Sequence, residues 1–131
     1  MSTLAVGTIK SVSSAAPVFQ NTSGTEKGRL VEAYALFVGT GTVSLTNSYN
    51  ISSLTDNGTG DYTFTYTNAL SSSNYCTFGS SETITNHRFT GGSINTKSTT
   101  NCRMKWGVSG GTNAVGFDID FNLPCFLAIG G

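Results

Sequence analysis

From Leu30 onward apolar and polar side chains alternate with a period of two, the pattern of half-buried β-strands. Tyr34, Leu36 and Val38 alternate with Ala33, Ala35 and Phe37, and Val43 and Leu45 follow after Gly39-Thr40-Gly41, a tight reversal that predicts the first hairpin. Ala33, Ala35 and Phe37 are expected on an exposed face poor in charge. Ile51 and Leu54 lead into Asp56-Asn57-Gly58-Thr59-Gly60-Asp61, where Asn-Gly supplies the positive φ angles of a primed turn. Beyond it Tyr62, Phe64 and Tyr66 face one way and Thr63, Thr65 and Thr67 the other. Further strands are expected near residues 74–78, 83–89 and 93–97, and a last one over 125–129.

Between Asn101 and Phe121 the pattern predicts a second long hairpin. Cys102, Met104, Trp106 and Val108 form one apolar set, and Val115, Phe117, Ile119 and Phe121 form the other, with Ser109 to Asn113 between. A slip of one residue would turn every apolar side chain to water, so Val108 is expected opposite Val115. That register sets Lys105 beside Asp118 and Arg103 beside Asp120. No run has a helical period, and about eight short strands with Gly-rich turns predict an all-β, antiparallel β-sandwich.

Residues 1–29 read differently. Leu4, Val6 and Ile9 precede a stretch rich in Ser, Thr and Gly that holds Pro17, which reads as an extended N-terminal arm and linker ahead of a sandwich domain over residues 30–131. The arm is too poor in apolar residues to pack a core, but Leu4, Val6 and Ile9 suffice to add a strand to the edge of a partner's sheet.

Gly, Ser, Thr and Asn supply about half of the 131 residues, while charged residues are 11% and the net charge is zero. Aromatic residues at 11% separate the chain from disordered sequences, which lack them. Sparse, scattered Lys and Arg argue against a nucleic-acid partner, since phosphate binding draws on clustered cations. No stretch has the length of an apolar membrane span, and the opening MSTLAVGTIK lacks a signal-peptide core, so synthesis in a cytoplasm is expected.

Candidate chemistry is thin. Cys76, Cys102 and Cys125 lack a C-x-x-C spacing and are expected to be free, buried thiols. The single histidine, His87, is too little for a nucleophilic triad or a zinc site. Asp118 and Asp120 have the form of a carboxylate pair but lie beside basic residues, which favours ion pairing. Asp56 and Asp61 bracket a turn, where such side chains bond to nearby backbone. Three Asn-x-Ser/Thr matches, at Asn21, Asn50 and Asn57, carry no weight without a secretory signal. No cofactor, metal or catalytic set is expected.

The opening MSTLAVGTI, the Ser/Thr-rich linker and the segment FVGTGTVSLTNSYNISSLTDNGTGDYTFTYTNALSSSNY resemble a recurring module of tail-fibre-like and other virion proteins from tailed phages of marine bacteria, especially cyanobacteria. The likeness covers roughly the first 80 residues, with the Asp56 to Asp61 turn its most recognisable part. It implies a compact sandwich of the H-type lectin kind, assembled as a homotrimer, with the N-terminal element attaching it to other virion proteins. The function it implies is a non-enzymatic virion surface appendage involved in host-cell recognition, through a glycan or a protein. Capsid decoration or an accessory tail role is the alternative. A polysaccharide hydrolase would have only Asp118 and Asp120 in its favour.

Overall fold

A computed structural model of the protein describes residues 7–10, 19–28, 30–80, 89–109, 117, 118, 120 and 124–130. In chain order its strands are β1 (Phe19–Gln20), β2 (Glu26–Gly28), β3 (Val31–Val38), β4 (Ser44–Tyr49), β5 (Ile51–Gly58), β6 (Asp61–Tyr66), β7 (Cys76–Ser80), β8 (Phe89–Lys97), β9 (Asn101–Ser109), β10 (Phe117–Asp118) and β11 (Cys125–Ile129). The chain divides into two units, Met1–Leu30 and Val31–Gly131.

In the first unit β1 and β2 form a small antiparallel hairpin with Phe19 opposite Gly28. Asn21 builds its turn: its Oδ1 accepts from the backbone amides of Ser23 and Thr25, at 3.2 and 2.8 Å. This is the side-chain turn chemistry that favours Asn at such positions, and it places a hairpin where the sequence pattern reads only as linker.

The second unit is an antiparallel β-sandwich. One sheet has the order β4-β3-β11-β7; in the other, β5, β6, β9 and β8 lie side by side, and β10 continues the β6 edge of β9. The alternation expected in β6 and β9 is present: Tyr62, Phe64, Tyr66, Cys102, Met104 and Trp106 are all buried. The opposing sheet meets these large rings with small residues, Ala33, Ala35 and Ala128, and with two rings of its own. Phe37 stands edge-on to Tyr62, Phe64 and Trp106 at centroid distances of 4.9, 5.3 and 5.5 Å, and Phe126 stacks on Phe64 at 4.4 Å. Large side chains opposite small ones fill the layer between sheets; each buried ring contributes roughly 1.5–3 kcal/mol.

The inward face of β3 is therefore Ala33, Ala35 and Phe37, the reverse of the expectation. Both alternating sets in this strand are apolar, so periodicity alone does not choose between them. The rings of the opposing sheet do, because Ala33 and Ala35 leave room for them while Phe37 packs edge-on against Tyr62, Phe64 and Trp106.

The expected register of the second long hairpin also fails. Val108 pairs with Phe117 and Gly107 with Asp118, two residues away from the Val108 to Val115 pairing, so Asp118 does not lie opposite Lys105. A shift of two keeps the apolar faces aligned, which is why the face argument could not detect it. On that edge β6 pairs with residues Asn101 to Lys105 and β10 with Gly107 and Val108, while β8 fills the other edge. Arg103 meets Asp61 on β6 rather than Asp120, and Lys105 also reaches Asp61.

Two corners join the sheets. β4 and β5 are nearly one run of chain, broken at Asn50, whose φ of 56° makes it the one described non-glycine residue in the left-handed region. Its Nδ2 donates to the Glu32 and Asn68 carbonyls at 3.0 and 3.1 Å, and its Oδ1 accepts from the Asn68 amide at 2.8 Å. At the opposite corner Gly79 of β7 and Gly92 of β8 face each other so closely that a Cβ on Gly92 would lie 2.8 Å from Met104 Cε and 3.3 Å from Gly79 Cα. The β5–β6 turn differs from the Asn-Gly form expected. Gly58 pairs with Asp61, the positive φ angles belong to Gly58 and Gly60, and Asn57 donates to Thr63 Oγ1 at 2.9 Å.

Candidate binding surface

The residues singled out from sequence do not converge. Leu4, Val6 and His87 lie outside the described residues, and Ile9 is 63% exposed. The side chain of Asp118 is likewise outside them. Asp120 is committed to the fold: its Oδ1 lies 2.7 Å from the donating amide of Gly60 and 2.6 Å from the Tyr62 hydroxyl. That hydroxyl also faces the Gly39 carbonyl at 3.0 Å, sharing one proton between two acceptors. Burial, reinforced by the Asp120 carboxylate, pushes the Tyr62 phenol well above its ordinary range. Asp56 accepts from the Gly58 amide at 2.8 Å, the turn role expected of it.

Asp61 is the one charged residue among the buried side chains of the described core, 4% exposed. Its two oxygens take a forked contact from Arg103, Nε to Oδ1 at 2.8 Å and Nη2 to Oδ2 at 2.7 Å, with Lys105 Nζ 3.6 Å from Oδ2. The hydrogen bonds from Arg103, with the charges of Arg103 and Lys105, hold its carboxyl below the usual carboxylate range against the opposing effect of burial. All three cysteines are free thiols, but only Cys102 is buried; Cys76 is exposed and Cys125 half-buried. Burial pushes the Cys102 thiol up, which keeps it protonated and inert. Among the described residues no three His, Cys, Asp or Glu side chains gather as metal ligands.

What the fold does assemble is a face. On the outer side of the β4-β3-β11-β7 sheet, the register puts Tyr49 opposite Tyr34, Tyr34 opposite Leu127, and Leu127 opposite Phe78. Aromatic and aliphatic side chains thus form one row crossing all four strands. Tyr34 and Tyr49 stack with centroids 6.1 Å apart, and Phe78 and Tyr49 are 62% and 56% exposed. Beside this row runs a second, Asn47, Leu36, Cys125 and Ser80, while Val31, Ile129 and Cys76 pair across one end of the strands. Glu32 is the one charged residue in the four strands. The outer side of the other sheet is polar by contrast, with Thr63 and Thr65 on β6 and Asn101, Arg103 and Lys105 on β9.

The sequence carried the signal for this surface in the doubly apolar alternation of β3 and in Phe78 and Leu127, but recognising it requires knowing which strands are neighbours. Compared with family models, curated proteins and solved structures, the chain matches none.

Proposed function

We propose that this protein is a non-enzymatic module of a tailed-phage virion, a short tail-fibre-like surface appendage that contributes to recognition of the host cell. The observation that carries the reading is the division of the sandwich into two unlike outer surfaces. One is a sheet face whose strands hold a single charged residue, with exposed tyrosine and phenylalanine, suited to burying area against another protein. The other carries Thr and Asn beside the Asp61, Arg103 and Lys105 cluster, suited to hydrogen bonding with polar ligands such as glycans. The likeness of the Val43 to Tyr75 segment to virion modules supplies the setting, and attachment falls to the N-terminal arm with Leu4, Val6 and Ile9. Receptor contacts are assigned to loops at one end of the sandwich, where strands hold variable residues in place. No cofactor, nucleic acid or membrane enters this function.

The apolar face also favours a second reading, a decoration or accessory protein seated permanently on the particle. Virions assembled without the protein separate the two. Normal assembly with poor adsorption to host cells is the expected result; normal adsorption with fragile or leaking heads would replace recognition by decoration.

A further inference from the structure

We infer that the outer face of the β4-β3-β11-β7 sheet is the seat of a second copy of this chain, packed face to face about a two-fold axis. This inference stands apart from the virion reading, since it rests on the surface alone. Taking roughly 150–250 Å² per aromatic side chain, the exposed fractions of Phe78, Tyr49 and Tyr34 leave on the order of 300 Å² of ring in water. Val31, Ile129 and the half-buried leucines extend the patch to the top of the ~300–600 Å² that a monomer's largest patch reaches. Each partner of a standard interface buries ~800 Å², of which this patch would form the apolar centre.

Charge decides between occupants. A face whose strands hold one charged residue, Glu32, offers little for a strongly charged partner to pair with, and a second copy adds only one further carboxylate to the contact. The central row is also suited to pairing with itself. A two-fold axis along the strands lays Tyr49 over Phe78 of the partner subunit and Tyr34 over Leu127 of the partner subunit, an aromatic side chain in every pair. Sheets packed in this way lie about 10 Å apart with interdigitated side chains. A two-fold pairing uses the same patch on both copies, and a row complementary to itself favours two copies over the trimer implied by the virion-module likeness.

Native mass spectrometry and sedimentation velocity on the full chain at micromolar concentration test this. The expected species has twice the chain mass. The double variant Tyr49→Lys, Phe78→Lys should retain the far-ultraviolet spectrum and thermal cooperativity but weaken the dimer by about 100-fold or more, because it places lysines at the centre of an apolar contact. Ile94→Lys, at an exposed position on β8 of the other sheet, should leave the dimer intact. If lysine unfolds the domain, Tyr49→Ser with Phe78→Ser provides the same comparison. A wild-type monomer, a dimer that survives the double variant, a dimer lost in Ile94→Lys, or a three-copy assembly would each overturn the inference.

Discussion

Replacing Asn50 tests how the two sheets are tied together. Its side chain makes three hydrogen bonds, to the Glu32 and Asn68 carbonyls and from the Asn68 amide, from a backbone position at φ 56°. Each such bond contributes about 0.5–1.5 kcal/mol net, with the lower end apt for the two made at the exposed Asn68. Asn50→Gly removes all three while keeping the left-handed conformation accessible, so the expected loss is about 2 kcal/mol. Asn50→Ala removes the same bonds and adds about 1 kcal/mol for placing a Cβ in that region. Asn50→Asp keeps the acceptor for the Asn68 amide but turns an oxygen toward two carbonyls, and should be no better than alanine at neutral pH. Urea denaturation with an unchanged slope gives the ranking directly; a loss of about 2 kcal/mol corresponds to roughly 8–16 °C in the midpoint of a domain near 100 residues. A glycine variant as stable as wild type would show that the clamp contributes nothing. An alanine variant as stable as the glycine one would refute the backbone part of the reasoning.

Asp61 makes stability pH-dependent with a defined sign. Because Arg103 and Lys105 lower its folded pKa, its contribution is full above its unfolded value near ~4 and is lost as pH falls through the folded value. Asp61→Asn should cost about 2 kcal/mol at neutral pH, discounted for the partly solvated Arg103, and the gap to wild type should narrow in denaturation curves taken below that unfolded value. Gly92→Ala should cost about 1–3 kcal/mol in the same assay, since Met104 Cε must move within a buried core while Trp106 and the Gly79 backbone also stand close to the new methyl. Removing residues 1–29 should leave the thermal midpoint of the sandwich nearly unchanged but prevent incorporation into particles; normal incorporation would move attachment to the sandwich.

The strands of this protein were largely legible because a period of two, with aromatic and threonine sets opposed in β6 and apolar and basic sets opposed in β9, admits few other readings. Neighbours were not. One edge of β9 is shared between β6 and β10, and the alternation of β9 does not say which of its residues each of them meets. The direction of β3 depended on the size of rings contributed by the opposing sheet. The binding face depended on β11 lying between β3 and β7, an adjacency no local pattern encodes. The Asn50 corner was hidden for a different reason: a left-handed Asn within a run of strand residues looks like an ordinary polar member of the alternation. Asn21 was different again, since its turn chemistry was visible in Asn-Thr-Ser-Gly but was absorbed into a linker by the composition around it.

The placement of β11 has a consequence in time. Phe126 pairs with Ala35, about ninety residues earlier in the chain, and on its other edge with Gly79. Closing a loop of that length carries an entropic cost of about 4 kcal/mol from its length alone, and folds dominated by such distant pairings form slowly. While the ribosome is still making the segment before Cys125, β3 and β7 each have an open edge where β11 will lie, next to a sheet face that is already apolar. Such edges are templates for pairing with other chains. A chain cut short ahead of β11 is therefore expected to aggregate through these edges rather than form a smaller working domain.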